Sequence, residues 1–365
     1  MPLPPLLRAL WPTLVALGLV VLGLAALVWL IPAAPMSGDG QSYIRFVRNN
    51  LQHGASSWHE RRILGPLLVR AMPLDAQDGF FVLTTVSLGV TAMLTWLSAQ
   101  AVVRDSWRAL VAIPLLFGTW VVAPNLREFG LVDPLAWAFV AGVWLATIRR
   151  CWWLAAGLVA IGVLAKEVVV LAAVAAAAAA WNARQPWIAA RVAAPAVVVA
   201  LLLTVLVPGS GTDAGAYLGD WVRKGLFSNG VGRAVFLLFA SYGALWLLVP
   251  RAWITLDFPD HLRRAAGVLF LAAPLLPLVG SPERMEEAIF PAVVTAALLA
   301  TRTWSSPLIW VLAMGNVVFV ARVGGDARLP TVVAWSGLAV ACALAGLEGR
   351  PKSLLPRSRP SRQSV

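Results

Sequence analysis

The chain has 365 residues, of which 60% are hydrophobic and only 13% are charged, and its mean hydropathy is +0.79. Soluble domains are closer to half apolar and a quarter charged, so this composition excludes a cytosolic enzyme and a disordered chain. Two cysteines and three histidines are too few for a disulfide framework or a zinc cluster. The composition therefore predicts an all-α polytopic membrane protein.

Uncharged apolar runs mark the predicted spans. At about 20 residues per span, the chain has room for about twelve transmembrane helices (10–12) in one transmembrane domain over residues 1–347. The predicted spans are 11–32, 79–103, 109–123, 134–148, 152–165, 168–181, 192–207, 233–249, 265–279, 288–300, 307–321 and 331–347. Residues 348–365 form a basic tail that we expect to be disordered.

The net charge of +12 indicates the orientation in the membrane. Twelve spans put both termini on one side, together with the pairs Arg149-Arg150 and Arg263-Arg264 and the basic tail. Because cytoplasmic loops are rich in Lys and Arg, we expect both termini to be cytoplasmic in a protein integral to the cytoplasmic membrane. No folded basic domain is present, so we expect no nucleic-acid partner.

Three predicted hairpins on the outer side are too short to lift their charged tips clear of the membrane. Residues 152–181 cover about 45 Å as helix, which is less than two crossings of a core about 30 Å thick. The charges at the three tips are Arg127, Glu128 and Asp133, then Lys166 and Glu167, then Arg284 with its neighbouring glutamates. Charges at that depth need partners or water. We therefore expect a polar crater that opens outward, or else a local salt bridge closing each turn.

The first outer loop, residues 33–78, is the largest predicted extramembrane segment. It opens with Asp39 between two glycines, directly after the first span. A helix should follow whose apolar face carries Tyr43, Phe46, Val47 and Leu51, and we expect this helix to lie in the membrane interface. Asp39 is either a reactive carboxylate or the N-cap of that helix.

A second amphipathic piece, residues 60–70, begins with the cationic pair Arg61-Arg62. Guanidinium groups bind phosphoryl oxygens in a bidentate manner, so this pair suits a phosphate or pyrophosphate at the level of the lipid headgroups. The alternative is a surface helix that binds anionic lipids.

Together these features resemble the GT-C superfamily of integral-membrane glycosyltransferases, which use polyprenyl-phosphate-linked sugars. The stretches that carry the resemblance are Gly38-Asp39-Gly40-Gln41-Ser42-Tyr43, Arg61-Arg62-Ile63-Leu64-Gly65-Pro66-Leu67, Arg127-Glu128-Phe129-Gly130-Leu131-Val132-Asp133-Pro134, Leu164-Ala165-Lys166-Glu167 and Arg284 before Phe290-Pro291.

The resemblance implies inverting transfer of a hexose or pentose from a polyprenyl-phosphate-sugar donor to an unidentified acceptor glycan, lipid or protein at the outer face. Asp39 would be the general base. The implied substrate-binding residues are Tyr43, Arg61, Arg62, Arg127, Glu128, Asp133, Lys166, Glu167 and Arg284. No cofactor is certain, although Asp39, Glu128 and Asp133 could share a divalent cation.

Two other classes of protein remain open from the sequence. A transporter or flippase of a lipid-linked saccharide would use the same charged residues as a translocation path. A non-catalytic assembly protein would use them only for packing. The mid-span residues are almost wholly apolar, which favours a site at the outer end over a path through the membrane.

Overall fold

A computed structural model of the chain describes residues 5–31, 38–52, 60–119, 122–182, 185–206, 241–254, 258–273, 286–302, 304–323 and 340. These residues form helices and turns, with no strand among them. Within these ranges three helices are long and apolar enough to cross a membrane, over Leu10–Leu30, Ala76–Val103 and Pro186–Leu203.

The helices up to residue 148 are α1 (Pro5–Leu30), α2 (Gly38–Arg48), α3 (Leu64–Arg70), α4 (Ala76–Val103), α5 (Ser106–Ala109), α6 (Ala112–Phe117), α7 (Val122–Arg127) and α8 (Asp133–Ile148). The later helices are α9 (Trp152–Ala165), α10 (Val169–Ala180), α11 (Pro186–Leu206), α12 (Leu245–Ile254), α13 (Asp260–Ala272), α14 (Phe290–Ala300) and α15 (Ser306–Val323). A 3₁₀ turn, Glu286–Ile289, leads into α14.

Most predicted spans that fall on described residues coincide with a single helix. The predicted span 109–123 instead coincides with the end of α5, with α6 and with the start of α7, so its place in the membrane stays a prediction. α6 ends at Phe117, and the backbone of the next residue, Gly118, lies against Val317 of α15. Of the predicted span 331–347 only residue 340 is described. Residues 233–240 of the span 233–249, residues 274–279 of the span 265–279 and the basic tail also lie outside the described residues.

The predicted short hairpin over residues 152–181 is present as α9 and α10. Its direction follows from the hydrogen bonds of two residues in α13. His261 contacts Arg150, just before α9, and Arg264 donates to the carbonyl oxygens of Ala178 and Ala179, at the end of α10. His261 and Arg264 lie one helical turn apart, so the start of α9 and the end of α10 share one side of the molecule. The turn at residues 166–168 is therefore at the opposite end.

The core and the outer surface are both apolar. Every residue of α14 is buried, and α8 is buried along nearly its whole length. In contrast, α1 and α11 expose large side chains such as Leu22 (70% exposed), Trp29 (84%) and Val205 (74%). Apolar surface on this scale is unusual for a soluble monomer and suits an environment of lipid chains.

Candidate functional site

The helix α2 presents the predicted base Asp39 in its first turn. Asp39 is the second residue of the helix and is partly buried. Its carboxylate therefore lies at the positive end of the helix dipole. The neighbouring Ser42 hydroxyl donates to the carbonyl oxygen of Gly38 (2.7 Å), which ties down this first turn.

The apolar face of α2 is covered by other parts of the protein, and the position of this helix in the membrane interface stays a prediction. Tyr43 and Phe46 are buried, and the Tyr43 ring lies 6.3 Å from that of Phe80 in α4. Leu51, predicted to share this face, lies beyond the helix with a left-handed φ of 60°. Helix α2, in the described part of the 33–78 segment, thus packs against α4.

Two glycines fit this segment against the turn between α7 and α8. A Cβ atom on Gly130 would lie 2.5 Å from the Cα of Gly40, the residue after Asp39. A Cβ atom on Gly65, at the start of α3, would lie 2.8 Å from Cγ1 of Val132. Both contacts require hydrogen in place of a side chain. They bring the Asp39 turn and the Arg62 segment against the turn that carries Glu128 and Asp133.

Arg62 links the 33–78 segment to the tip of the α9–α10 hairpin. Its Nε donates to Oε2 of Glu167 (2.9 Å), and its Nη2 pairs with Oε1 of the same carboxylate. Its Nη1 donates to the hydroxyl oxygen of Tyr43 (3.2 Å). The Arg62 side chain is 12% exposed, whereas that of Glu167 is 47% exposed. Glu167 is therefore the member of this bidentate pair that solvent reaches.

Lys166 and Asp133 form a second ion pair next to the first. Nζ of Lys166 bonds Oδ1 of Asp133, and their side chains are only 3% and 0% exposed. Lys166 itself adopts an extended backbone conformation that ends α9. The pair joins the two tips predicted at 127–133 and 166–167. Asp133, Lys166 and Glu167 thus form ion pairs between distant segments and not local salt bridges within their own turns.

Burial raises the pKa of the Tyr43 phenol to about 12, although the adjacent Arg62 acts in the opposite direction. The phenol therefore stays protonated at neutral pH and can donate a hydrogen bond while it accepts one from Arg62.

The structure brings some of the predicted site residues into direct contact and leaves others on neighbouring segments. Tyr43, Arg62, Asp133, Lys166 and Glu167 form one connected group, which we call the ion-pair cluster. The remaining described ones, Asp39, Arg61, Arg127 and Glu128, are partly buried on segments that border it. Arg284 lies outside the described residues.

The predicted cation site shared by Asp39, Glu128 and Asp133 does not fit the structure. Asp133 is fully buried and bound to Lys166, so its carboxylate is occupied by an ammonium group. Within the described ranges no three histidine, cysteine, aspartate or glutamate side chains are grouped closely enough to hold a metal ion.

Sequence reasoning missed a surface ion pair at the edge of this site. Arg48, at the end of α2, donates from Nη2 to both carboxylate oxygens of Asp75 (3.0 and 3.2 Å), and Asp75 caps α4. Both side chains are about half exposed. The signal in the sequence was Asp75 itself, because aspartate is a common N-cap residue and its carboxylate here accepts from the backbone N–H of Gln77.

Comparison of the chain with protein-family models, with curated proteins and with solved structures gives no match.

Proposed function

We propose that the protein is an integral-membrane glycosyltransferase that moves a sugar from a polyprenyl-phosphate-linked donor to an acceptor at the outer face of the cytoplasmic membrane. Tyr43 and Arg62 of the first outer loop, Asp133 at the start of α8, and Lys166 and Glu167 at the hairpin tip meet in the ion-pair cluster. This convergence is the observation that supports the proposal. An enzyme that transfers a sugar from a lipid phosphate needs cations for the leaving phosphate beside a carboxylate base.

In the proposed reaction Asp39 accepts the proton of an acceptor hydroxyl as its oxygen attacks the anomeric carbon. The bond from that carbon to the lipid phosphate breaks, the configuration inverts, and polyprenyl phosphate leaves with its bonding electrons. Arg62 stabilises the departing phosphate, and this requires Glu167 to yield one or both of its hydrogen bonds. Glu167 suits that exchange because it is the exposed partner.

The buried pair Asp133–Lys166 has a different role in this scheme from the direct sugar or phosphate contact expected from the sequence. A fully buried ion pair cannot reach a substrate without breaking. It holds the hairpin tip, and with it Glu167, in position opposite Arg62. Arg61, Arg127, Glu128 and Arg284 remain the proposed contacts to the sugar and the phosphate.

The test is transfer of a labelled sugar by the purified protein, using a panel of polyprenyl-phosphate hexoses and pentoses with crude membranes as acceptor. Asp39→Asn keeps the side-chain volume and removes the base, so turnover should fall by about 10²–10⁴-fold with donor binding retained. Arg62→Ala should weaken both turnover and binding of polyprenyl phosphate. Arg48→Ala is the matched control, because it removes an arginine from the same segment but outside the ion-pair cluster.

Wild-type turnover in Asp39→Asn would remove Asp39 from the mechanism. Equal donor binding by the Arg62→Ala and wild-type proteins would remove the proposed phosphate site. No transfer from any donor in the panel, with the protein folded, would contradict the enzymatic function itself.

The second candidate is a transporter or flippase, because buried residues with hydroxyl side chains lie in a row along α4. They are Thr84, Ser87, Thr91, Thr95 and Ser98. Thr91 and Thr95 each donate to a carbonyl oxygen four residues earlier in the same helix (2.7 Å). Such hydroxyls serve close helix packing, so the row favours transport only weakly. Proteoliposomes that translocate a fluorescent lipid-linked saccharide without transferring the sugar would favour this candidate.

A further inference from the structure

An apolar groove of about 580 Å³ runs along α8, between that helix and α3, α4 and α9. Its lining side chains are apolar except for Ser87, Arg149 and Cys151. None of the residues of the ion-pair cluster lines it. The groove is therefore a separate feature from the candidate catalytic site.

The two ends of the groove differ in chemistry. At one end Leu68, Leu83 and Leu135 line it, and Leu135 lies two residues after Asp133 of the ion-pair cluster. At the other end the lining residues are Arg149 and Cys151, at the turn between α8 and α9. From Leu135 to Arg149 the helix rises about 21 Å, which matches a long acyl chain in an extended conformation.

The charges select the end at which a phosphate would bind. Arg149 is exposed and makes no ion pair with another described residue. At the opposite end, Arg62 and Lys166 are already paired with carboxylates. A phosphate near the leucine end would have to displace a carboxylate, whereas a phosphate at Arg149 would not.

We propose that this groove binds one acyl chain of an anionic phospholipid whose phosphate contacts Arg149. In the proposed orientation the lipid belongs to the cytoplasmic leaflet, and its site is distinct from that of the donor. The inference does not depend on the transfer reaction. It assigns a structural lipid to the short helices α8 and α9, whose facing surfaces leave the groove between them.

The test is native mass spectrometry of the delipidated full-length protein, titrated with phosphatidylglycerol or phosphatidylcholine of identical acyl chains. The wild type should retain one phosphatidylglycerol about fivefold more tightly than phosphatidylcholine, since one arginine beside a headgroup of net negative charge contributes about that factor, whereas the choline cation leaves phosphatidylcholine with no net charge. Arg149→Gln should abolish the preference. Arg150→Gln is the matched control, because Arg150 is adjacent but contacts His261 and does not line the groove.

A second pair of variants tests the acyl-chain site. Ala138→Trp places a large side chain in the groove, one helical turn from its leucine end, and should reduce retention of both lipids. Val197→Trp adds the same side chain to the exposed surface of α11 and should leave retention unchanged. The wild-type protein offers a further measurement, because the free cysteine Cys151 lines the groove. Bound lipid should cover its thiol, so phosphatidylglycerol should slow the alkylation of Cys151 more than phosphatidylcholine does.

Equal retention of the two lipids by the wild type, or an unchanged preference in Arg149→Gln, would overturn the proposal. So would unchanged retention in Ala138→Trp, which would place the lipid elsewhere. If the groove instead holds polyprenyl phosphate that is lost in Arg62→Ala, the occupant is the donor chain and the phospholipid assignment is wrong. None of these outcomes bears on whether sugar transfer occurs.

Discussion

Replacing Lys166 by methionine should be among the most destabilising single changes at the candidate site. Methionine is similar in length, so the main loss is the positive charge. Asp133 is 0% exposed and would keep a buried carboxylate without its cation. Removing one partner of a buried ion pair costs about 3–5 kcal/mol. At about 2 °C per kcal/mol for a long chain, the midpoint of thermal unfolding should fall by roughly 6–10 °C.

The assay is thermal unfolding of the purified protein in one detergent, followed by circular dichroism at a fixed scan rate. Arg48→Met is the matched control, because it breaks an ion pair whose partners are both about half exposed. Exposed pairs contribute only about 0–1 kcal/mol, so this variant should unfold within about 2 °C of the wild type.

A double variant separates charge from packing. Asp133→Leu with Lys166→Met removes both charges, and replacing a whole buried pair with apolar side chains is often neutral or stabilising. The double variant should therefore be more stable than Lys166→Met alone. If Lys166→Met unfolds at the wild-type temperature, or if the double variant is no better than the single one, the buried pair does not hold the hairpin tip as we infer.

Three further predictions concern the surroundings of this pair. Gly130→Ala should destabilise the protein by about 1–3 kcal/mol, since the added Cβ would meet the Gly40 backbone. Gly157→Ala, in open space on α9, should stabilise the protein by about 0.5–1 kcal/mol. Equal melting temperatures of the two variants would contradict both expectations. Asp75→Ala should lower the melting temperature and Asp75→Asn much less, because asparagine also caps helices. The backbone N–H of residue 77 and the guanidinium of residue 48 lower the pKa of Asp75. Its stabilising contribution should thus be present above its ordinary pKa and lost as the pH falls through the lowered one, a loss absent from an acid titration of the Asn variant. In an ultraviolet titration, a phenol ionising near pH 12 should disappear in Tyr43→Phe; its persistence would assign that ionisation to another tyrosine.

Several elements could be predicted from the sequence because local physics dictates them. The hairpin over 152–181 is one case, since Lys166-Glu167 cannot sit in mid-helix against lipid without partners, and the helix breaks there. Two predicted spans separate Lys166 from Asp133, so the sequence also predicts that both residues lie on the same side of the membrane. Tyr43, Arg62 and Glu167 were among the residues chosen from the sequence.

Other features depend on packing that no local pattern reveals. The apolar stretch 109–123 is divided among short helices, and Gly118, at one of the breaks, packs against the backbone of Val317, almost 200 residues away. Hydropathy measures only how a segment prefers lipid to water, and a protein interior satisfies the same preference. The apolar face of α2 illustrates the same ambiguity, because Tyr43 on that face packs near Phe80 of α4.

By itself the sequence determined that the chain is helical and apolar, and that its charges gather at a few turns. Those properties depend on composition and short-range spacing. Only the tertiary structure decided which charge meets which, pairing Arg62 with Glu167 and Lys166 with Asp133. The two side chains of an ion pair lie within a few ångströms of each other, but these partners are 33 positions apart in the sequence for Lys166 and Asp133 and 105 for Arg62 and Glu167. Its partners are selected by how the helices pack, through contacts such as that of Gly130 on Gly40.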